Sequence, residues 1–164
     1  MNNNRQKILD TLNNLNVAYE IIEHSAVKTM AEMNALALGD AEIAPKNLFL
    51  CDDKKKRFFL VSILGDTRVN LKELQKKLNC RPLSFASEAK LENILGLEKG
   101  AVSPLASLNA QENLVEVVLD EQIKTLEKVG VHPNDNTATV YLSPQALEKV
   151  IRNQGNKLIY IALN

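Results

Sequence analysis

The sequence contains few of the features by which many protein classes are recognised. Its 164 residues include no tryptophan, two cysteines and two histidines, and only 4% are aromatic. Cys51 and Cys80 are too few and too far apart for a disulfide framework or a zinc site, so we expect no metal and no cofactor. No apolar run approaches the roughly 18 residues of a membrane helix, and the start MNNNRQKILD lacks the apolar centre of a signal peptide. We therefore expect a cytoplasmic protein with no membrane partner.

The sequence also has no excess of charge of either sign. It has 20 basic and 20 acidic residues and a formal net charge of zero, so its overall field does not indicate a nucleic-acid partner. A local patch could still bind one. The candidates are the run Lys54–Arg57 and a helix side that carries Lys72, Lys76 and Lys77 and is followed by Arg81. Such clusters more often form solvated surface, and the first suits a charged hairpin turn.

The composition, 45% hydrophobic and 24% charged, is that of a globular protein, and the length suits one domain over residues 1–164. Apolar periodicity and capping residues predict helices over 4–15, from Thr29 to Gly39, and after Asn70, Ser87 and Ser143. Strands are predicted at 17–22, 46–52, 58–64, 81–85, 114–120, around 128–131, and at 137–143 and 157–163. This irregular interleaving of strands with five helices predicts an α+β (mixed α/β) fold, with one curved, largely antiparallel sheet of about seven strands covered by helices.

The sequence contains none of the stronger enzyme signatures: no GxSxG, HExxH, phosphate loop or GxGxxG. Polar residues in unusual places remain. Lys46 and Asn47 directly follow Pro45 at the start of an apolar strand, where an ammonium and an amide could contact a phosphate or carboxylate. His132, in GVHPND, could bind a ligand or act as a base. Each of these residues could equally be an ordinary surface or structural residue.

The loop GAVSPLASLN, residues 100–109, is built from small residues between a predicted helix and a predicted strand. Ser103 could be a nucleophile, but that role needs a base within hydrogen-bond reach and an oxyanion hole, and no triad pattern is visible. The alternative is that small residues let the backbone N–H groups point at one acceptor oxygen. Pro104 would stiffen this turn and donates no N–H.

Three segments together resemble the YbaK/ProX family of aminoacyl-tRNA deacylases, and most of all its free-standing ProX branch. They are PKNLFLCDDKKKRFFLVSILGDTRVNLKELQKKL, SFASEAKLENILGLEKGAVSPLASLN and VGVHPNDNTATVYLS. The resemblance covers nearly the whole chain and implies a YbaK-like domain. The implied activity is hydrolysis of the ester between proline tRNA and a wrong amino acid, which is alanine in the ProX branch and cysteine in the YbaK branch.

The resemblance also implies roles for particular residues. The lysine–asparagine pair of the family matches Lys46 and Asn47, its GxxxP loop matches Gly100 to Pro104, and its pocket histidine matches His132. Backbone N–H groups of residues 101 to 103 would polarise the ester, so no side-chain nucleophile would be needed. The residues expected in catalysis are Lys46, Gly100, Ala101, Val102 and Ser103. The residues expected to bind substrate are Asn47, Thr29, Met30, Pro104 and His132, and those expected to bind tRNA are Lys72, Lys76 and Arg81.

The sequence departs from the family pattern within and after the loop. Thr often precedes the proline and Phe-Gly often follows it, whereas this chain has Ser103-Pro104-Leu105-Ala106, and Asn109-Ala110 replaces an Asn-Asp pair. The implied substrate is alanyl-tRNA(Pro), and cysteinyl-tRNA(Pro) or a non-catalytic binding domain of the same fold remain as alternatives. The implied partners are the acceptor end of proline tRNA and prolyl-tRNA synthetase, and we expect a monomer.

Overall fold

A computed structural model describes residues 3–23, 45–64, 69–111 and 114–162. The four α-helices of these residues are α1 (Asn3–Asn14), α2 (Leu71–Leu78), α3 (Glu88–Leu95) and α4 (Pro144–Asn153). The strands are β1 (Glu20–Glu23), β2 (Lys46–Asp52), β3 (Phe58–Ile63), β4 (Leu83–Phe85), β5 (Val115–Asp120), β6 (Val129–Val131), β7 (Ala138–Leu142) and β8 (Leu158–Ile161). Three 3₁₀-helical segments span Lys99–Ala101, Pro104–Asn109 and Glu121–Thr125. The predicted helix from Thr29 to Gly39 lies outside the described residues.

The capping residues expected from the sequence begin three of the helices. The Asn70 side chain accepts from the backbone N–H groups of Lys72 and Glu73, Ser87 caps α3, and Ser143 caps α4. These bonds satisfy amides that have no partner inside a helix. Helix α3 ends at Gly96, whose φ of +68° is a left-handed conformation that glycine adopts without steric cost.

The β2–β3 hairpin is closed by the carboxylate of Asp52. One carboxylate oxygen accepts from the backbone N–H groups of Lys56 at 2.8 Å and Arg57 at 3.3 Å. Burial alone would raise the pKa of Asp52, but these hydrogen bonds to the charged form outweigh it and hold the pKa below its usual value. The basic run Lys54–Arg57 is therefore the turn of a hairpin, which is one of the two interpretations that the sequence allowed.

The α+β class is confirmed, but the strands divide between two sheets where one was expected. One sheet has the order β4-β2-β3-β5-β8, and the other has the order β1-β7-β6. Strand β3 is parallel to β5, which is parallel to β8, and the remaining pairs are antiparallel. Alternation shows which side of a strand is buried but does not show which strands pair, so the division into two sheets could not be predicted.

The five-stranded sheet separates two hydrophobic cores. On one face, Leu50, Phe59 and Val61 pack with Leu74 of α2. On the other face, Phe49 and Leu60 belong to a larger core that includes α1, α3, α4, the three-stranded sheet and residues of the 100–109 loop. Within the described ranges, no helix is long and apolar enough to cross a membrane.

Candidate functional site

The loop at residues 100–109 is two short 3₁₀ turns rather than irregular chain. Ala101 and Val102 are buried, and Leu105 and Ala106 are completely buried in the larger core. The segment Pro104–Asn109 packs against α3, α4, β3 and β5. The Ala101 N–H donates to the carbonyl of Glu98 at 3.0 Å, so in this conformation it is not available to a substrate. Of the backbone N–H groups expected to face the ester carbonyl, those of Val102 and Ser103 remain as candidates.

The hydroxyl of Ser103 has a structural role in this loop. Its Oγ donates to the carbonyl of His132 at 2.7 Å and accepts from the N–H of Leu105 at 3.2 Å, as the N-cap of the segment Pro104–Asn109. A nucleophilic serine must pass its proton to a base, and a main-chain carbonyl cannot act as one. The Ser103 hydroxyl, a possible nucleophile from the sequence, therefore joins two loops instead. Only the main-chain amide of Ser103 remains as a candidate for a role in catalysis.

The second loop, residues 132–137, carries His132. The ring of His132 is half-buried, and its Nδ1 lies 3.0 Å from the carbonyl oxygen of Ala138. A carbonyl only accepts, so Nδ1 carries a proton in this contact. The structure therefore brings together two of the predicted features, the GxxxP loop and His132, through main-chain and side-chain bonds.

A pair of asparagines, which sequence reasoning did not identify, joins the same two loops. The Asn109 amide donates to Asn134 Oδ1 at 2.9 Å, and the Asn134 amide donates back to Asn109 Oδ1 at 3.0 Å. Asn109 Nδ2 also donates to the carbonyl of Leu95. Asn134 has φ of +61°, a conformation that asparagine tolerates better than most residues, and this property of the NDNT stretch was the available signal.

A charged network also holds the 132–137 loop. Asp135 Oδ1 accepts from the N–H of Thr137 at 2.9 Å and from its hydroxyl at 2.7 Å, and Oδ2 accepts from Arg5 of α1. Burial alone would raise the pKa of Asp135, but the bonds from Thr137 and the Arg5 guanidinium lower it below its usual value. Asp135 is therefore held as a carboxylate.

Lys46 and Asn47 begin β2, as predicted, but they point to opposite faces of the sheet. Asn47 pairs with Ser62, whose hydroxyl donates to Asn47 Oδ1 at 2.6 Å, and Asn47 Nδ2 donates to the carbonyl of Pro45 at 3.2 Å. These two residues share the sheet face on which the Pro104–Asn109 segment packs. Side chains alternate along a strand, so Lys46 starts on the α2 face. Its side chain is exposed at the end of the strand and forms no hydrogen bond or ion pair with another described residue.

The residues predicted to bind tRNA lie on or beside α2. Lys72 and Lys76 are exposed on α2, which covers the face of the five-stranded sheet opposite the 100–109 loop. Arg81 forms two hydrogen bonds to the carboxylate of Asp53, at 2.6 and 2.9 Å. These cations are therefore not grouped with Ser103 and His132.

An open cavity of ≈ 800 Å³ lies beside the 132–137 loop, between α1 and β1. Arg5, Leu9, Ile21 and Asp135 are among its lining residues, and none of the predicted site residues lines it. Thr29 and Met30, which were expected to line the substrate pocket, lie outside the described residues. In the part of the chain that the structure describes, no group of His, Cys, Asp and Glu side chains could hold a metal ion.

Comparison with known proteins identifies the class to which this fold belongs. The model of the aminoacyl-tRNA editing domain matches residues 24–150, so the chain belongs to the aminoacyl-tRNA editing domain family. The resemblance to the YbaK/ProX family seen in the sequence is confirmed.

Individual relatives share almost the whole chain. The sequence is 42% identical over 159 residues to the prolyl-tRNA editing protein ProX of Acetoanaerobium sticklandii, with 97% of each chain covered. It is 39% identical over 163 residues to the prolyl-tRNA synthetase associated domain-containing protein 1 of Xenopus laevis, with coverage of 96% of this chain and 95% of the relative. The crystal structure of a proposed trans-editing enzyme for prolyl tRNA synthetase has the same fold, with a TM-score of 0.77, 16% identity and coverage of 100% of this chain and 99% of that one.

Proposed function

We propose that this protein is a trans-editing deacylase that hydrolyses the ester of mischarged proline tRNA, with alanyl-tRNA(Pro) as its substrate. Support comes from membership of the editing domain family and from similarity over almost the full length to a protein named for prolyl-tRNA editing. The protein would act in the cytoplasm, where tRNAs are charged, as a monomer. Prolyl-tRNA synthetase is the proposed partner.

The observation that carries this proposal is the construction of the 100–109 loop. The Ser103 hydroxyl is bonded to the fold on both sides, which argues against a nucleophilic role and supports the alternative in which main-chain amides act. An aminoacyl ester is already reactive, and its hydrolysis mainly requires stabilisation of the oxyanion that forms at the carbonyl. We assign this role to the amides of Val102 and Ser103. The loss of one such donor costs enzymes about 3 kcal/mol of barrier.

The proposed reaction needs no covalent enzyme intermediate. A water molecule, or the neighbouring ribose 2′-hydroxyl in a first transfer step, adds to the ester carbonyl carbon, and the carbonyl oxygen takes the negative charge. The intermediate collapses with cleavage of the bond to the ribose 3′-oxygen, which takes up a proton. The proton lost by the attacking group balances the one that the 3′-oxygen takes up. In the water route, the products are the free amino acid and intact tRNA; in the 2′-hydroxyl route the amino acid moves to the 2′-oxygen, and water then hydrolyses that ester to the same products.

The other predicted residues bind the substrate in this proposal. Asn47 is held by Ser62 and Pro45 and keeps one N–H and one acceptor position for the ribose or the amino group. Lys46 begins on the opposite face at the exposed end of β2, which suits contact with the terminal phosphate. His132 lines the pocket and binds the substrate through its ring.

Selection of the amino acid is proposed to be steric. The pocket would be lined by residues such as Met30 and Val102, and it would admit alanine while it excludes larger side chains. Exclusion by size discriminates more strongly than the reward for an extra methylene, which is about 1–3 kcal/mol.

The departures from the family pattern after Pro104, which kept a binding domain open as an alternative, are compatible with an active enzyme. Leu105 and Ala106, which stand where the family often has Phe-Gly, are completely buried in the core. Asn109 keeps its amide pair with Asn134. In this proposal, the Leu105 and Ala106 substitutions alter packing behind the loop rather than the groups assigned to the substrate.

A panel of charged tRNAs tests the proposal. Proline tRNA charged with alanine, cysteine or serine is incubated with the protein, and correctly charged prolyl-tRNA(Pro) serves as the matched control. We expect release of alanine and not of proline. Release of cysteine alone would support the alternative substrate, and binding of all the tRNAs without release of any amino acid would support a non-catalytic domain.

A further inference from the structure

Arg5 of α1 connects three separate parts of the structure. Its Nε donates to Asp135 Oδ2 at 3.0 Å, its Nη2 donates to the hydroxyl of Thr137 at 2.7 Å, and its Nη1 donates to Glu23 Oε1 at 2.5 Å. The Arg5 side chain is 20% exposed, and that of Asp135 is 9% exposed. A planar guanidinium that meets a mostly buried carboxylate through more than one nitrogen has little freedom to reorient.

The bonds to the 132–137 loop form a closed ring. Thr137 Oγ1 donates to Asp135 Oδ1 while it accepts from Arg5, and Arg5 also binds the other carboxylate oxygen. Both ends of the Asp135–Thr137 turn are therefore held by one side chain from a different element. The turn lies directly between His132 and Ala138, the two residues joined by the Nδ1 hydrogen bond of the histidine.

The other side of the loop is held by the 100–109 segment. Ser103 binds the main chain of His132, and Asn109 forms the amide pair with Asn134. On the α1 side, the Arg5 guanidinium holds the same loop through its bonds to Asp135 and Thr137. Loss of Arg5 would leave the loop joined to the proposed oxyanion turn but not to α1.

We propose that Arg5, acting through Asp135, is a positioning residue for the editing reaction, which orients the His132 ring relative to the turn at Val102 and Ser103. This inference rests on the proposed function. Arg5 itself is not placed in contact with the substrate. Displacement of a binding group by about 1 Å can lower a rate by about a hundredfold, so small changes of the loop are expected to reduce turnover.

The variants Arg5→Ala and Asp135→Asn test this role. In Asp135→Asn the amide can place an N–H against the guanidinium, so the contact to Arg5 is lost with little change of shape. We expect kcat for alanyl-tRNA(Pro) to fall by about tenfold or more in both variants, with a smaller change in KM. Arg5→Lys keeps the charge, but a lysine ammonium cannot bind Asp135 and Thr137 together in the fixed geometry of a guanidinium. Its rate should therefore lie between that of Arg5→Ala and that of the unaltered protein.

Glu23→Gln is the matched control. It removes the other carboxylate partner of Arg5, which belongs to β1 and is 75% exposed, and leaves the bonds to Asp135 and Thr137 in place. Its kcat is expected to equal that of the unaltered protein. An equal fall of kcat in Glu23→Gln, or an unchanged kcat in Asp135→Asn, would overturn the proposal.

Imidazole NMR gives a readout that does not depend on activity. The chain has two histidines, so a His24→Gln variant assigns the ring signals of His132. We expect these signals to shift or broaden in Arg5→Ala and Asp135→Asn and to stay unchanged in Glu23→Gln. Unaltered His132 signals in Asp135→Asn would refute the positioning role, whether or not the unaltered protein hydrolyses any tRNA. Shifted signals, combined with no hydrolysis by the unaltered protein, would refute the proposed function alone.

Discussion

Replacement of Ser103 by alanine separates a structural serine from a nucleophile. The change keeps the main-chain N–H and removes only the hydroxyl, which is completely buried and forms two hydrogen bonds. The carbonyl of His132 and the N–H of Leu105 would lose their partner inside the protein. A buried polar group without a partner costs about 1–3 kcal/mol, and the bond to Leu105 is the longer of the two. We expect the free energy of unfolding to fall by about 2–4 kcal/mol.

Equilibrium unfolding in urea measures this loss as a lower midpoint with an unchanged slope. A domain of this size typically has about 5–15 kcal/mol of stability, so the variant should remain folded. Ser107→Ala is a matched control because Ser107 is also buried but its hydroxyl donates one local bond, to the carbonyl of Pro104 at 2.9 Å. It should lose about 1 kcal/mol. A change below about 0.5 kcal/mol in Ser103→Ala would refute the network that joins the two loops.

Hydrolysis of alanyl-tRNA(Pro) by the same variant tests the chemistry. The loss of a true nucleophile lowers turnover by about a millionfold in serine hydrolases. The amide of Ser103 remains in the alanine variant, so we expect turnover within about tenfold of the unaltered protein, with the reduction arising from a looser loop. A folded Ser103→Ala protein with no measurable turnover would refute the proposal that main-chain amides suffice.

The remaining predictions concern Lys46, Gly100 and Asp135. Lys46→Ala should lose most deacylation without a change in melting temperature, because the side chain is exposed at the start of β2; unchanged turnover would remove Lys46 from the mechanism. Gly100→Val should also lose deacylation, since a branched side chain would crowd the turn, and a normal rate would contradict the backbone-donor model. Because the pKa of Asp135 is lowered in the folded state, its contribution to stability is present above its unfolded pKa of about 4 and disappears as the pH falls through the folded value. Urea midpoints measured from pH 7 to pH 3 should therefore fall further for the unaltered protein than for Asp135→Asn, whereas parallel curves would show that the interaction of Asp135 with Arg5 and Thr137 does not stabilise the fold.

Local interactions explain why much of the secondary structure could be predicted. Asn70, Ser87 and Ser143 cap helices because each side chain binds amides only two or three residues away. The hairpin at Lys54–Arg57 follows in the same way from neighbouring residues. Predicted strand ends differ from the observed ends by a few residues, as at β1, where Val17 instead closes the end of α1 through a bond to the carbonyl of Leu12. Pairing partners, unlike caps, lie far away in the sequence, which is why the division into two sheets was not predicted.

The sequence by itself determined the α+β class, the small-residue loop with Pro104, and the family to which the chain belongs, because these depend on local patterns and on residues shared with relatives. Tertiary structure alone decided what the polar groups do. It bonded the Ser103 hydroxyl to the main chain of His132, paired Asn109 with Asn134, and connected Arg5 with Asp135, which are 130 positions apart. It also placed α2 and its lysines on the sheet face opposite the loop. Such contacts depend on how sheets and helices pack in space, and no local pattern of residues encodes them.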